Sequence, residues 1–138
     1  MTEPIPIAVA VVICNGNVLI GRRPEGASLA GYWEFPGGKV HRGESDEAAA
    51  ARECLEETGL AVRIGRLLVE TCWQYENGAV RLRFFVAEPL DASAPQAPFR
   101  WAPLGELGQY AFPPANAEVL RLLDDFASRS GFPAGRPL

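Results

Sequence analysis

The stretch from Gly38 to Leu60, GKVHRGESDEAAAARECLEETGL, constrains this chain more than any other part of it. Its second half reads as a helix: Ser45 is placed to cap the N-terminus, Asp46 and Glu47 suit the positive end of the dipole, the alanines from 48 to 51 favour helix, and Gly59 can stop it. On that helix Glu53, Glu56 and Glu57 stand at spacings of three and four and share a face, with Arg52 beside them. Like charges so spaced cost an isolated helix about 0.2–0.5 kcal/mol per pair. The face therefore calls for a compensating charge, and a divalent cation held by hard oxygen ligands would supply it. A helical wheel puts Ala48, Ala51 and Leu55 opposite the glutamates, so the expectation is one packing side and one acidic side.

Written as a pattern, the stretch is Gly38, five residues, Glu44, seven residues, then Arg52-Glu53-Cys54-Leu55-Glu56-Glu57-Thr58-Gly59-Leu60. This resembles the signature box of the Nudix hydrolases at all its polar and glycine positions. Cys54 stands where an aliphatic residue is usual, and cysteine packs as a small hydrophobe. A merely solvated acidic face would account for the carboxylates but not for the whole pattern. The preceding string Trp33-Glu34-Phe35-Pro36-Gly37-Gly38-Lys39 is similar to that of the MutT-like branch.

The resemblance implies an α/β (α+β) fold, an α/β/α sandwich with a mixed sheet, the box helix on one side and a C-terminal helix on another. It implies metal-dependent hydrolysis of a nucleoside triphosphate to the monophosphate and pyrophosphate, with Mg²⁺ or Mn²⁺ held by Glu53, Glu56, Glu57 and the Gly37 carbonyl. Glu53 would also accept the proton of the attacking water, Arg52 would orient a glutamate, and Glu44 would support the loop or a second metal. Arg23 and Lys39 would meet the triphosphate. The segment FPPAN resembles the base-recognition segment of 8-oxoguanine nucleotide hydrolases, which gives Asn116 a purine edge to read. Phe35, Tyr75, Leu82 and Phe112 could form the walls that hold a base or equally be plain core, which is the default for any one of them. Many relatives carry a glutamate about six residues before the tryptophan matching Trp101; this chain has Pro95 there with Gln96 beside it, which shifts the burden onto the helix carboxylates.

The rest of the chain fits one domain over residues 1–130 with a loosely ordered tail from 131 to 138. Ile5 to Cys14 is an apolar run rich in valine and isoleucine, Asn15-Gly16 signals a tight turn, and Asn17 to Gly21 resumes as a second strand. Ala61 to Gln74 and Ala79 to Ala87 read as a second hairpin around Asn77-Gly78, with Arg81 and Arg83 on one face, either meeting phosphate or solvated. Asn116 precedes a helical pattern from Ala117 to Phe126 and on local grounds would cap it. Cys14, Cys54 and Cys72 are odd in number and widely spaced, which reads as buried free thiols rather than disulfides or a zinc site.

A net charge of −4 argues against gripping a polynucleotide backbone, no run approaches a membrane span, and no obligate protein partner is evident. The opening residues lack a basic segment and a cleavage site, so the cytoplasm is the expected location. Three functions follow: an 8-oxo-dGTP diphosphatase that sanitises the nucleotide pool, a CTP- or dCTP-type pyrophosphohydrolase, and, from another class, a nucleotide sensor without turnover.

Overall fold

A computed structural model describes residues 3–26 and 29–130; the expected tail from 131 lies outside them. Strand β1 (Ile5–Cys14) turns at Asn15 and Gly16, with φ of 53° and 80°, into β2 (Asn17–Arg22). Those left-handed angles suit asparagine and glycine, so the turn forms where the sequence places it. Two short strands follow, β3 (Trp33–Glu34) and β4 (Gly37–Lys39), then helix α1 (Asp46–Thr58). Next come the long hairpin β5 (Val62–Tyr75) and β6 (Gly78–Pro89), and β7 (Phe99–Pro103). Two 3-10 turns, Leu104–Gln109 and Pro114–Asn116, lead into α2 (Ala117–Ser130).

The strands form one mixed sheet in the order β3-β2-β1-β6-β5, with β4 paired to β1 and β7 to β2. β1 runs parallel to β6, with Ile7 opposite Leu82, and antiparallel to β4, with Val9 opposite Gly37. Because β1 is covered on both faces, its apolar run does not alternate with polar residues. Ala8, Ala10 and Val12 pack with Ala49, Ala50 and Cys54 of α1, while Val9 and Val11 pack with Val119 and Leu123 of α2. The α/β layering with a mixed sheet is therefore the one expected.

Helix α1 starts and stops where its local chemistry dictates. Ser45 Oγ accepts from the Ala48 N–H at 3.1 Å, and Gly59 adopts φ 79° as its N–H donates to Leu55 O. Its packing side differs from the wheel expectation: Ala49, Ala50, Cys54 and Thr58 are buried, Ala48 is exposed, and Leu55 is 52% exposed. Small side chains let the helix axis approach the sheet closely. Glu53 and Glu57 consequently flank the buried face instead of pointing directly away from it.

Three further expectations need correction. Of the free cysteines only Cys54 is buried; Cys14 is half-buried and Cys72 exposed, because Cys72 lies on β5 at the sheet edge. Asn116 does not cap α2: its Nδ2 donates back to Pro113 O at 3.2 Å, since the 3-10 turn runs straight into the helix. Arg83, half-buried, does not line the cleft described below and is not simply solvated; it bridges Asp46 (2.8 Å) and Glu70 (2.7 Å), tying the start of α1 to the hairpin.

Candidate active site

The two glycines of β4 let α1 pack closely beside the central strand β1. A Cβ on Gly37 would lie 2.6 Å from Ala8 O, and one on Gly38 would lie 2.5 Å from the Glu53 carboxylate. Only glycine leaves room for β1 on one side and the glutamate on the other. Glu57 Oε1 accepts from the Gly37 N–H at 3.2 Å. The box helix thus presents Glu53 and Glu57 to consecutive residues of one strand.

Arg52 is the hub of the surrounding charges. Its Nε and Nη2 donate to the two oxygens of Glu44 at 2.7 and 3.0 Å, a planar fork on a carboxylate. Nη1 donates to Glu53 and to Glu56, both at 3.1 Å, and Nη2 also reaches Lys39 O at 3.1 Å. The Arg52 guanidinium, helped by the His41 N–H, holds the Glu44 carboxyl down at about 2. Glu57 moves the other way, pushed up to about 8 by burial, against the Gly37 N–H and with the Glu34 and Glu53 charges adding to the rise. Glu34 is also raised, by burial, even though Arg23 donates to it at 2.6 Å.

Beside these carboxylates a cleft of about 260 Å³ opens on the α2 side of the sheet. Its floor is apolar, from Ile7, Val9, Val80 and Leu82, and its polar groups are Arg23, Glu34 and Asn116. Phe35 and Tyr75 line it as well, with Gly37 and Gly38 at the carboxylate end. Phe112 stands behind Phe35, stacked at 5.1 Å between ring centroids.

The residues singled out in the sequence fall into two connected groups. Glu44, Arg52, Glu53, Glu56 and Glu57 surround the box, and Arg23, Phe35, Gly37 and Asn116 line the cleft. Lys39 is not among the lining residues; the contact it offers is its carbonyl to Arg52. Glu34 was missed by the sequence reading although it sits inside the WEFPGGK string, because only the fold brings it to the cleft beside Arg23. Gln96, beside Pro95, is also placed: its N–H donates to Thr58 O at 2.9 Å and its side-chain amide to Glu57 O at 3.4 Å, so it caps the end of α1.

The donor set suits a hard divalent cation in kind, being carboxylate and main-chain oxygen without thiolate or imidazole. The mutual crowding of Glu34, Glu53 and Glu57 is the electrostatic situation a cation relieves. Among the described residues, however, no three such side chains stand close enough to enclose an ion. Glu56 faces Arg52 and would have to exchange that partner to join Glu53 and Glu57.

The NUDIX domain family model matches residues 8–122. An "8-oxo-dGTP diphosphatase" of Escherichia coli (strain K12) is 32% identical over 125 residues, covering 88% of this chain and 97% of that relative. A "CTP pyrophosphohydrolase" of the same organism is 30% identical over 134 residues, covering 94% and 97%. Among solved structures, the solution structure of the E. coli ORF135 protein superposes with a TM-score of 0.71 at 30% identity over 96% of both chains.

Proposed function

The chain belongs to the NUDIX domain family and is a hydrolase of that family, and from this premise we propose that it cleaves a nucleoside triphosphate to the monophosphate and pyrophosphate, with 8-oxo-dGTP as the preferred substrate. One observation carries the reading: the box carboxylates Glu53 and Glu57 converge on Gly37 and Gly38 at the end of an apolar cleft that also holds Asn116. Charge for phosphate chemistry and a surface for a base adjoin one another.

Glu53, Glu56, Glu57 and the Gly37 carbonyl would hold Mg²⁺ or Mn²⁺, which supplies charge neutralisation at the phosphoryl oxygens. Glu53 accepts the proton of the attacking water, and its carboxylate is fixed by Arg52 on one side and by the bare Cα of Gly38 on the other. Arg52 orients by its fork on Glu44, so Glu44 acts through Arg52 and not on substrate. Arg23 and Lys39 meet the triphosphate. Phe35 and Tyr75 wall the base, and Asn116 reads its edge with an amide that offers both donor and acceptor. The setting is cytoplasmic, with a free nucleotide and no polynucleotide, membrane or obligate protein as partner; among the described residues no helix is long and apolar enough to cross a membrane.

Pyrophosphate release from 8-oxo-dGTP, dGTP, dCTP and CTP at low substrate tests the reading. The expected kcat/KM is highest for 8-oxo-dGTP, and Asn116→Ala should lose that preference selectively. A second reading, a cytidine triphosphate pyrophosphohydrolase, draws on the similarity to the E. coli CTP enzyme along nearly the whole chain. It is the one to adopt if CTP or dCTP leads and Asn116→Ala lowers all substrates alike.

A further inference from the structure

Asn116 rides on a segment, Tyr110 to Asn116, that forms no strand, and its start is held outside the cleft. The hold is an aromatic and cationic cluster on the α2 face. Ile20 of β2, Arg100 of β7 and Trp33 of β3 share that face, because Ile20 pairs with Arg100 and Trp33 pairs with Arg22, two residues from Ile20. The Trp33 and Tyr110 rings meet edge to face at 4.8 Å and 74°. The Arg100 guanidinium lies 4.9 Å from the Trp33 ring centroid and 5.3 Å from that of Tyr110, and Nη2 donates to the Tyr110 hydroxyl at 2.8 Å. The Trp33 N–H donates to Ala111 O at 2.8 Å.

From this anchor the path to the cleft is short and stiff. Phe112 stacks on Phe35, Pro113 is fixed at φ −59° and is followed by Pro114, and Pro113 O accepts both the main-chain and the side-chain N–H of Asn116. Two consecutive prolines leave few backbone torsions in which a shift at Tyr110 could be absorbed. Trp33 is also the residue before Glu34, so the same cluster borders both polar walls of the cleft. Arg100 itself is exposed and does not line the cleft.

We propose that Arg100, clamped between Trp33 and Tyr110, is a positioning residue for base recognition: it sets where Asn116 stands although it touches nothing in the cleft. The proposal rests on the reading of the cleft as a base site. It makes β7 a determinant of which base is accepted, and it leaves the carboxylate chemistry at Glu53 and Glu57 untouched.

Arg100→Met keeps the apolar stem and removes the charge, while Tyr110→Phe removes the hydroxyl alone. Two readouts separate this proposal from the functional reading. The first is amide hydrogen exchange without nucleotide: in Arg100→Met the Trp33 and Asn116 amides should exchange faster by about threefold to tenfold, the scale of a charge-assisted hydrogen bond with an exposed cation–π pair, with α1 amides unchanged. The second is the ratio of kcat/KM for 8-oxo-dGTP over dGTP, which differ only in the base. That ratio should fall by a similar factor in Arg100→Met, less in Tyr110→Phe, and not at all when Arg100→Met is added to Asn116→Ala. Unchanged exchange at Trp33 and Asn116 overturns the proposal whatever the activity. So does a uniform loss on both substrates, or an equal further loss in the Asn116→Ala background. A wild-type chain that does not distinguish the two nucleotides instead defeats the reading of the cleft as an oxidised-guanine site, and the exchange result still decides whether Arg100 holds the segment.

Discussion

Replacing Gly38 by alanine separates the architecture of the site from its chemistry. The new Cβ would stand 2.5 Å from Glu53 Cδ and Oε2 and 2.7 Å from Oε1, where ordinary contact begins at 3.4 Å. The carboxylate must therefore retreat by about 1 Å, a misplacement on the scale that costs roughly 100-fold in rate when it involves a reacting group. Glu53 can retreat because the clash is with the far end of a flexible side chain. Gly38 is not among the positive-φ glycines, so alanine adds no backbone strain and stabilises by about 0.4–1 kcal/mol through the unfolded chain. The expected Gly38→Ala protein melts at or slightly above the wild-type temperature and loses on the order of 100-fold in kcat/KM for metal-dependent pyrophosphate release. Gly37→Ala is the contrast: its Cβ meets Ala8 O at 2.6 Å and the Val9 Cα at 2.8 Å, both main-chain atoms of β1, and the cost falls on the β1–β4 pairing as lost stability. Thermal melts with steady-state kinetics on both variants check the reasoning. Activity of Gly38→Ala within threefold of wild type, or a drop in melting temperature equal to that of Gly37→Ala, refutes it.

Glu53→Gln keeps the size of the side chain and its contact with Gly38, so it should fold normally and lose turnover by several orders of magnitude; a rate within tenfold of wild type removes Glu53 from the role of base. Without metal, Glu57 holds its proton up to about 8 in the folded chain against 4.5 for an ordinary glutamate, so between these pH values the folded state binds the extra proton. The Glu57 contribution to stability is then full below pH 4.5 and lost as pH rises through about 8. Melts in chelator from pH 5 to 8 should show this decline, Glu57→Gln should flatten it, and Mg²⁺ should raise the melting temperature most at the alkaline end; a slope identical in Glu57→Gln contradicts the assignment. Thr58 is fully buried, its Oγ1 donating to Cys54 O at 2.7 Å and accepting from the Leu60 N–H at 3.1 Å. Thr58→Val strands that N–H and should cost about 1–3 kcal/mol in denaturant unfolding; a neutral result would mean that the helix end finds another donor and acceptor.

What the sequence revealed was what local chemistry decides. The Ser45 cap, the Gly59 stop and the Asn15-Gly16 turn each depend on a few neighbouring residues, and each forms as read. The box glutamates were legible for the same reason, since spacing alone puts them on one helix. The packing face of α1 was not, because a wheel built on hydrophobicity favours Leu55 whereas the sheet accepts Ala49, Ala50 and Cys54, whose small size allows close approach. Asn116 looked like a helix cap until the preceding 3-10 turn gave its amide another partner. Glu34 and Arg100 were invisible as site residues, since their significance arises only when β3, β7 and the Tyr110–Asn116 segment are brought together across β2.

The central claim is that the carboxylates gathered on Gly37 and Gly38 hydrolyse a nucleoside triphosphate whose base lies in the adjoining cleft. Single-turnover pyrophosphate release from 8-oxo-dGTP, by the wild-type chain and by Glu53→Gln, with Mg²⁺ supplied and then chelated, tests it most directly. The account expects rapid release only from the wild-type chain with Mg²⁺, with 8-oxo-dGMP as the other product. Release that persists in chelator, release by Glu53→Gln at the wild-type rate, or no release from this or any other nucleoside triphosphate would contradict it.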